Sequence, residues 1–416
     1  MKKRMILMVT GFLSCAVTLL AQPAKKVVFV IADGIPADVI ESVTTPHMDA
    51  IAHAGAYFRA YVGGGKGTYS ETPTISAVGY NSLLTGTWAN KHNVWDNDIA
   101  APNYHYPTIF RLLKDQYPQK KIAVFSSWLD NRTKLVGDGL AQTNGIHVDI
   151  AADGFELDTL QFPKAGPVHR MHRIDEQVTD RAVRSIREQA PDLSWIYLEY
   201  TDDMGHGYGD GPEFYGAVKM LDRQMGRVWE AIRYRQRRFQ EDWMIFITTD
   251  HGRSETDGRG HGGQSPRQRS AWMITNDPGL NAYPELHTPG VVDIFPTIAR
   301  YMNITIPSAV DRELDGVPMI GKVSLADMKV NYFQDKLDIT WLPLDAKENS
   351  NVKVWISTTN NVKMGGADQY RQAAEVPLRQ KHITISVKDR SPGFYKVVLE
   401  GAHNSLNRWV VPDNKK

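Results

Sequence analysis

Carboxylates and imidazoles recur at four places along this 416-residue chain, each just beyond an expected strand or in the loop after one. Asp33 follows an apolar run at 27–32 and precedes Gly34. Asp202 and His206 stand four apart in Thr-Asp-Asp-Met-Gly-His-Gly, read as a glycine-rich loop after a strand at 195–200. Asp250 and His251 adjoin at the end of the run 244–249, and His261 follows ten residues later within Gly-His-Gly-Gly. Carboxylate with imidazole suits Zn²⁺ and related divalent ions. Three carboxylates without a cation would repel one another and raise one another's pKa values. Six such ligands match a pair of divalent ions roughly 3.5–4 Å apart. Singly, each has a plainer role: Asp33 as a helix cap or turn former, 202–206 as a polar loop, His261 as an exposed loop histidine. Their shared position at strand ends points to one centre.

A hydrolytic centre of this kind also needs a nucleophile. The segment 72–86 offers hydroxyls at Thr72, Thr74, Ser76 and Ser82. A helix beginning near Ser76 would place that hydroxyl and adjacent backbone N–H groups at an anion-binding N-terminus. Capping of the same helix is the plainer use of a hydroxyl. Spacing leaves all four eligible.

The elements that must position these groups read as alternating strands and helices. Apolar runs at 27–32, 122–126, 195–200, 244–249 and 271–275 are the length of buried strands. Helical periodicity marks 106–116, 175–189, 214–238 and 291–302. The pattern implies an α/β fold, a mostly parallel sheet sandwiched by helices, with ligands beyond the carboxyl ends of the strands. The basic run 233–238 reads as a solvated helix end favoured by the dipole. After Gly321 the texture changes to alternating segments at 337–342, 352–358, 382–387 and 394–399, separated by turn residues such as 389–393. That spacing predicts a small immunoglobulin/fibronectin-III-like β-sandwich over 328–416, joined through 308–321 to a catalytic unit over 22–321. Trp341, Trp355, Tyr370, Tyr395 and Trp409 are expected as sandwich core rather than a sugar platform.

The first 21 residues stand apart. Lys2, Lys3 and Arg4 precede an apolar run to Leu20 and then Ala21, the pattern of a secretory signal cleaved near Ala21. The run is shorter than the ~20 residues a membrane span needs, so no span is expected in the mature protein. Cleavage would take the formal charge from +1 to −2 and remove Cys15, the single cysteine. The mature chain then has no disulfide, thiolate ligand or cysteine nucleophile, which suits a bacterial periplasm or outer surface. Near-neutral charge argues against a basic nucleic-acid footprint. The 42% hydrophobic and 23% charged composition excludes global disorder, and the length suggests two domains.

The motifs VVFVIADG, TPHMDAIAHAGAYF, TISAVGYNSLLTG, TGTWANKHNVWDN, DDMGHGYG, TTDHG and GHGG occur in this order. Over residues 26–321 the series resembles the alkaline phosphatase superfamily, in particular its nucleotide pyrophosphatase/phosphodiesterase branch. The resemblance implies that Asp33, Asp250 and His251 hold one ion and Asp202, His206 and His261 a second, with zinc expected. It implies Ser76, ten residues before Gly86, as a metal-contacting nucleophile, and Asn97 as a donor to a phosphoryl oxygen. Arg132 lies where some monoesterase relatives carry a phosphate-contacting Lys-x-Arg pair, and could reach a phosphate. Ala77-Val78-Gly79 departs from the Pro-Asn-His usual in the branch. Ser76 is followed by Val78 and Tyr80, outside the formylglycine sulfatase pattern. The implied activity is hydrolysis of a small-molecule phosphate ester through a phosphoseryl intermediate, with diesters or pyrophosphates expected. Alternatives are a phosphomonoesterase on the same scaffold and a catalytically silent surface binding protein.

Overall fold

A computed structural model describes residues 23–165, 169–345, 347–387 and 394–411. The expected signal segment 1–21 and the turn residues 389–393 lie outside the described residues. At the centre is a seven-stranded sheet built from β1 (Lys25–Ala32), β2 (Ala56–Tyr61), β3 (Ile122–Ser126), β4 (Ile150–Ala152), β5 (Leu193–Leu198), β6 (Asp242–Thr248) and β7 (Ser270–Thr275). Their order is β2-β7-β6-β1-β5-β3-β4. The pairs β6–β1, β1–β5, β5–β3 and β3–β4 are parallel, whereas β7 runs antiparallel to both β6 and β2.

Helices cover both faces. They include α1 (Ala37–Ser42), α2 (Pro46–Ala54), α3 (Ser76–Thr85), α4 (Ala89–His92), α5 (Ile109–Gln116), α6 (Arg170–Glu188), α7 (Tyr200–Tyr208) and α8 (Pro212–Phe239), followed by α9 (Tyr283–Leu286), α10 (Ile294–Tyr301) within the expected 291–302 helix, and α11 (Ser308–Asp311). The period-two alternation of β1 divides the core. Val27, Phe29 and Ile31 join the cluster with Val78 and Leu83 of α3 and Phe110 of α5. Val28, Val30 and Ala32 join the one with Val178 of α6 and Leu221 and Met225 of α8. Among the described residues no helix is long and apolar enough to cross a membrane.

Two local expectations are corrected. The strand expected at 195–200 is β5, ending at Leu198, and the expected glycine-rich loop is helix α7. Gly205 and Gly207 each cost a helix about 1 kcal/mol relative to alanine. A distant partner supports the helix start: the Asp175 carboxylate on α6 accepts from Glu199 N at 3.2 Å and Tyr200 N at 2.9 Å. Within the basic run 233–238, Arg235 is buried rather than solvated, paired with Glu241 and set over the Phe239 ring.

Beyond Gly321 the chain is all-β. Strand β8 (Leu325–Phe333) pairs with β9 (Lys336–Pro343), and β10 (Asn351–Ser357) pairs with β11 (Arg371–Pro377). Strands β12 (His382–Ser386), β13 (Tyr395–Glu400) and β14 (Ser405–Val410) complete antiparallel sheets of order β12-β9-β8 and β11-β10-β13-β14. Four β segments were expected and seven are present among the described residues. The first begins at Leu325, ahead of residue 328; β11 is nearly all exposed or half-exposed and carries no alternating signal. Inward residues of both sheets, such as Ile339 and Val397, share the apolar cluster of β1. Trp341 and Tyr395 are buried as expected, while Trp409 stacks on Tyr69 of the α/β part with ring centroids 5.5 Å apart.

Candidate metal centre

The centre lies beyond the carboxyl ends of three adjacent strands, β5, β1 and β6. Asp33 follows β1, Asp202 and His206 ride on the helix after β5, and Asp250 and His251 follow β6. On α7 the spacing of four puts Asp202 and His206 on one face, with His206 Nε2 3.2 Å from Asp202 Oδ2. Candidate ligand atoms gather in two groups, Asp33/Asp250/His251 and Asp202/His206/His261, each with its atoms within 4.8 Å of one another. His251 and His261 stack face to face with ring centroids 3.7 Å apart, bringing the groups together.

Backbone contacts fix which imidazole nitrogen is presented. His251 Nδ1 donates to Gly252 O at 2.9 Å and His261 Nδ1 to Thr74 O at 2.9 Å. Each therefore turns Nε2 toward the carboxylates, the arrangement common to metal-bound histidine. Asp33 Oδ1 and Asp250 Oδ2 are buried without a hydrogen-bond partner among the described residues. His251 Nε2 lies 3.2 Å from the first and 3.3 Å from the second. Two orphaned carboxylate oxygens and an imidazole nitrogen fit a divalent cation.

The charges agree. Burial and the charge of Asp33 push Asp250 well above the ordinary carboxylate range. Burial opposes a charged His251, but the charges of Asp250 and Asp33 outweigh it and raise the imidazole to about 9. In the outer group, burial pushes Asp202 up, but the His206 hydrogen bond and the charges of Arg253 and His251 hold it below its usual range. The hydrogen bond to Asp202 raises His206. Burial and the charge of His251 lower His261 to about 4.

Tertiary contacts separate the four hydroxyls. Thr72 Oγ1 donates to Ser70 O and accepts from Ala89 N; Thr74 Oγ1 donates to Gly263 O; Ser82 Oγ donates to Val78 O. Ser76 opens α3, whose N-cap is Ile75, and its Oγ lies 3.4 Å from His251 Nε2. It meets the ligand group instead of capping its helix. Asn97 is brought beside it: its Oδ1 accepts from Ala77 N at 2.9 Å. Arg132 is not available as expected. Its guanidinium is held by Asp153 at 2.6 and 3.0 Å and by Asp138 at 2.6 Å. A fork spent on two carboxylates has little left for an anion.

Several functional contacts were not anticipated from sequence. The Tyr80 and Tyr197 hydroxyls both donate to Asp33 Oδ2, leaving Oδ1 for the centre. Arg253, fully buried, pairs with Asp202 Oδ1 and also donates to Gly34 O. Gly34, at φ +70°, has no room for a Cβ against Asp202 and Arg253. Gly79 lets α3 lie on Asp250, whose backbone oxygen is 2.6 Å from where a Cβ would stand. An Asp-Gly after an apolar strand and an arginine two residues past the Asp-His pair were the only traces of these contacts.

The sheet with its strand-end carboxylates and imidazoles places the molecule among alkaline phosphatase-like proteins. The sequence profile described as type I phosphodiesterase / nucleotide pyrophosphatase matches residues 27–289. The chain is 24% identical over 253 residues to ectonucleotide pyrophosphatase/phosphodiesterase family member 5 of Homo sapiens, covering 58% of this chain and 48% of that protein. It is 25% identical over 250 residues to member 7 of Homo sapiens, covering 56% and 49% respectively. In fold it is similar to a 2-O GAG sulfatase, at TM-score 0.54 and 12% identity over 93% of this chain and 85% of that one. The chain belongs to the type I phosphodiesterase / nucleotide pyrophosphatase family. It spans about half the length of the curated relatives it matches.

Proposed function

We propose that this chain is an exported, metal-dependent phosphoric ester hydrolase acting on phosphodiesters or pyrophosphates through a phosphoserine at Ser76. The observation that carries the reading is Ser76 Oγ at 3.4 Å from His251 Nε2, on the first residue of α3. Residues 22–321 form the catalytic unit in this reading, and 328–416 a β-sandwich that braces it. Asp33, Asp250 and His251 would hold one divalent ion and Asp202, His206 and His261 another, with zinc suited to the mixed oxygen and nitrogen donors. When bound, such ions supply Lewis-acid charge that favours an ionised hydroxyl and a departing oxygen.

The protein's own groups do the rest. Ser76 loses its proton to solvent, and its oxygen bonds to phosphorus as the ester oxygen leaves. Water then breaks the Ser76–phosphorus bond and restores the hydroxyl. Asn97, held by Ala77 N through its Oδ1, would donate from its amide to a non-bridging oxygen. The names of the relatives favour diesters over monoesters. Hydrolysis of bis-p-nitrophenyl phosphate and p-nitrophenyl phosphate, after chelation and with Zn²⁺, Mn²⁺ or Mg²⁺ restored, tests this. Metal-restored hydrolysis favouring the diester is expected. Faster monoester turnover would reassign the substrate class, and no turnover of either with any metal would sink the reading.

A further inference from the structure

The two ligand groups differ in exposure, and Arg253 sets them apart in charge. Its guanidinium donates Nε to Gly34 O at 2.8 Å, Nη1 to Arg259 O at 3.0 Å and Nη2 to Asp202 O at 2.9 Å. Its ion pair is with Asp202 Oδ1, and its side chain is 0% exposed. Gly34 and Gly205 stand where any Cβ would collide with it. Asp202 is thus the counter-ion of a buried arginine, and a cation in the outer group shares that carboxylate. The outer set brings a single carboxylate, already paired with Arg253, beside the two imidazoles of His206 and His261. The inner set brings two carboxylates, Asp33 and Asp250, and no arginine or lysine pairs with either among the described residues. Exposure follows the same division. The side chains of Asp33, Asp250 and His251 are at most 2% exposed, against 48% for His206 and 12% for Asp202. His206 is flanked by Gly205 and Gly207, and His261 by Gly260 and Gly262.

We infer that Arg253 makes the two cation positions unequal, so that the inner group stays loaded while the outer one fills only as free divalent ion becomes available. The protein then rests half-loaded, and the surroundings set the active fraction through the outer position. Arg253 is a positioning residue here: it orients Asp202 and lowers the charge that a cation at that position meets. This inference rests on the two-ion reading above.

The test is calorimetric titration of the chelated full-length protein with Zn²⁺, with bound metal counted by elemental analysis. Two equivalents with affinities at least 100-fold apart are expected. His206→Ala should abolish the weaker phase only, and Asp250→Asn should impair the tighter one. Arg253→Gln, which removes the charge, should tighten the weaker phase at least tenfold. A merely structural arginine would loosen it on substitution. Two equivalents of equal affinity, or loosening in a folded Arg253→Gln protein, would overturn the inference and leave the two-ion reading intact. One equivalent or none at saturation would overturn the two-ion reading itself. Should Arg253→Gln fail to fold by circular dichroism, Arg253→Lys, which keeps the charge, should retain the two unequal phases, and equal affinities or a tightened weaker phase in that variant would overturn the inference.

Discussion

At the scale of single residues, the centre depends on which atoms are already spoken for. Asp33 is held at Oδ2 by two tyrosine hydroxyls, Asp250 at Oδ1 by Gly34 N, and Asp202 at Oδ1 by Arg253. Each keeps its other oxygen for the centre, as ligand carboxylates supported by a surrounding shell do. Ser76 is different: its Oγ touches His251 and nothing ties it to its own helix. Replacing Ser76 by alanine should therefore leave fold and metal content near normal while turnover falls by roughly a thousandfold or more, as for other activated nucleophiles. Steady-state rates with bound metal measured on the same sample check this. Unchanged turnover in Ser76→Ala would exclude Ser76 as the nucleophile.

At the scale of elements, α3 and α4 must hold Ser76 and the Asn97 loop in register, and His92 ties them. Val94 N donates to His92 Nδ1 at 3.1 Å, so the ring proton sits on Nε2, 3.0 Å from Ser82 Oγ on α3. Burial lowers this imidazole from 6.5 to about 3. Between those values the unfolded chain binds a proton that the folded one excludes. The stability His92 contributes is whole above pH 6.5 and drains away as pH falls toward 3, by on the order of a few kcal/mol. Urea denaturation of wild type and His92→Gln at pH 7.5 and 4.5 reads it. The variant should be less stable at pH 7.5, and the gap should narrow at pH 4.5. A gap that widens on acidification would refute the assignment.

At the scale of the whole molecule, the β sheets are bound to the α/β part by buried charge as well as apolar packing. Lys91 of α4 donates to Asp315 at 2.7 Å and to Asn407 of β14 at 2.9 Å. Lys396 of β13, with its side chain 1% exposed, pairs with Glu313 at 2.7 Å and Asp368 at 2.6 Å. Removing one partner of such a pair strands a buried charge and costs about 3–5 kcal/mol. Lys396→Met should lose that much in urea, monitored by tryptophan fluorescence and far-ultraviolet circular dichroism. Because one apolar cluster runs from Val27 to Leu406, both signals should move in a single transition. A loss under about 1 kcal/mol, or two separate transitions, would mean the sheets are not an integral part of the core.

What could be read directly from the residue order was whatever short-range chemistry records. Apolar runs of strand length, helical periodicity and acids or histidines just beyond three of the strands are local features, and they pointed to the sheet and to all six candidate ligands. Long-range contacts left no such mark. The helix that carries Asp202 and His206 depends on a cap from Asp175, distant in sequence, and its glycines argued for a loop. Arg132 looked free because Asp138 and Asp153 meet it only on folding. Arg253, Tyr80 and Tyr197 sit in ordinary apolar or turn surroundings, and only the folded chain aims them at carboxylates. The choice of Ser76 among four hydroxyls on contacts alone was likewise tertiary. Thr74 donates to the remote Gly263 O and Thr72 accepts from Ala89 N, while Ser82 is turned back to Val78 O of its own helix, and only the folded chain sets Ser76 beside His251.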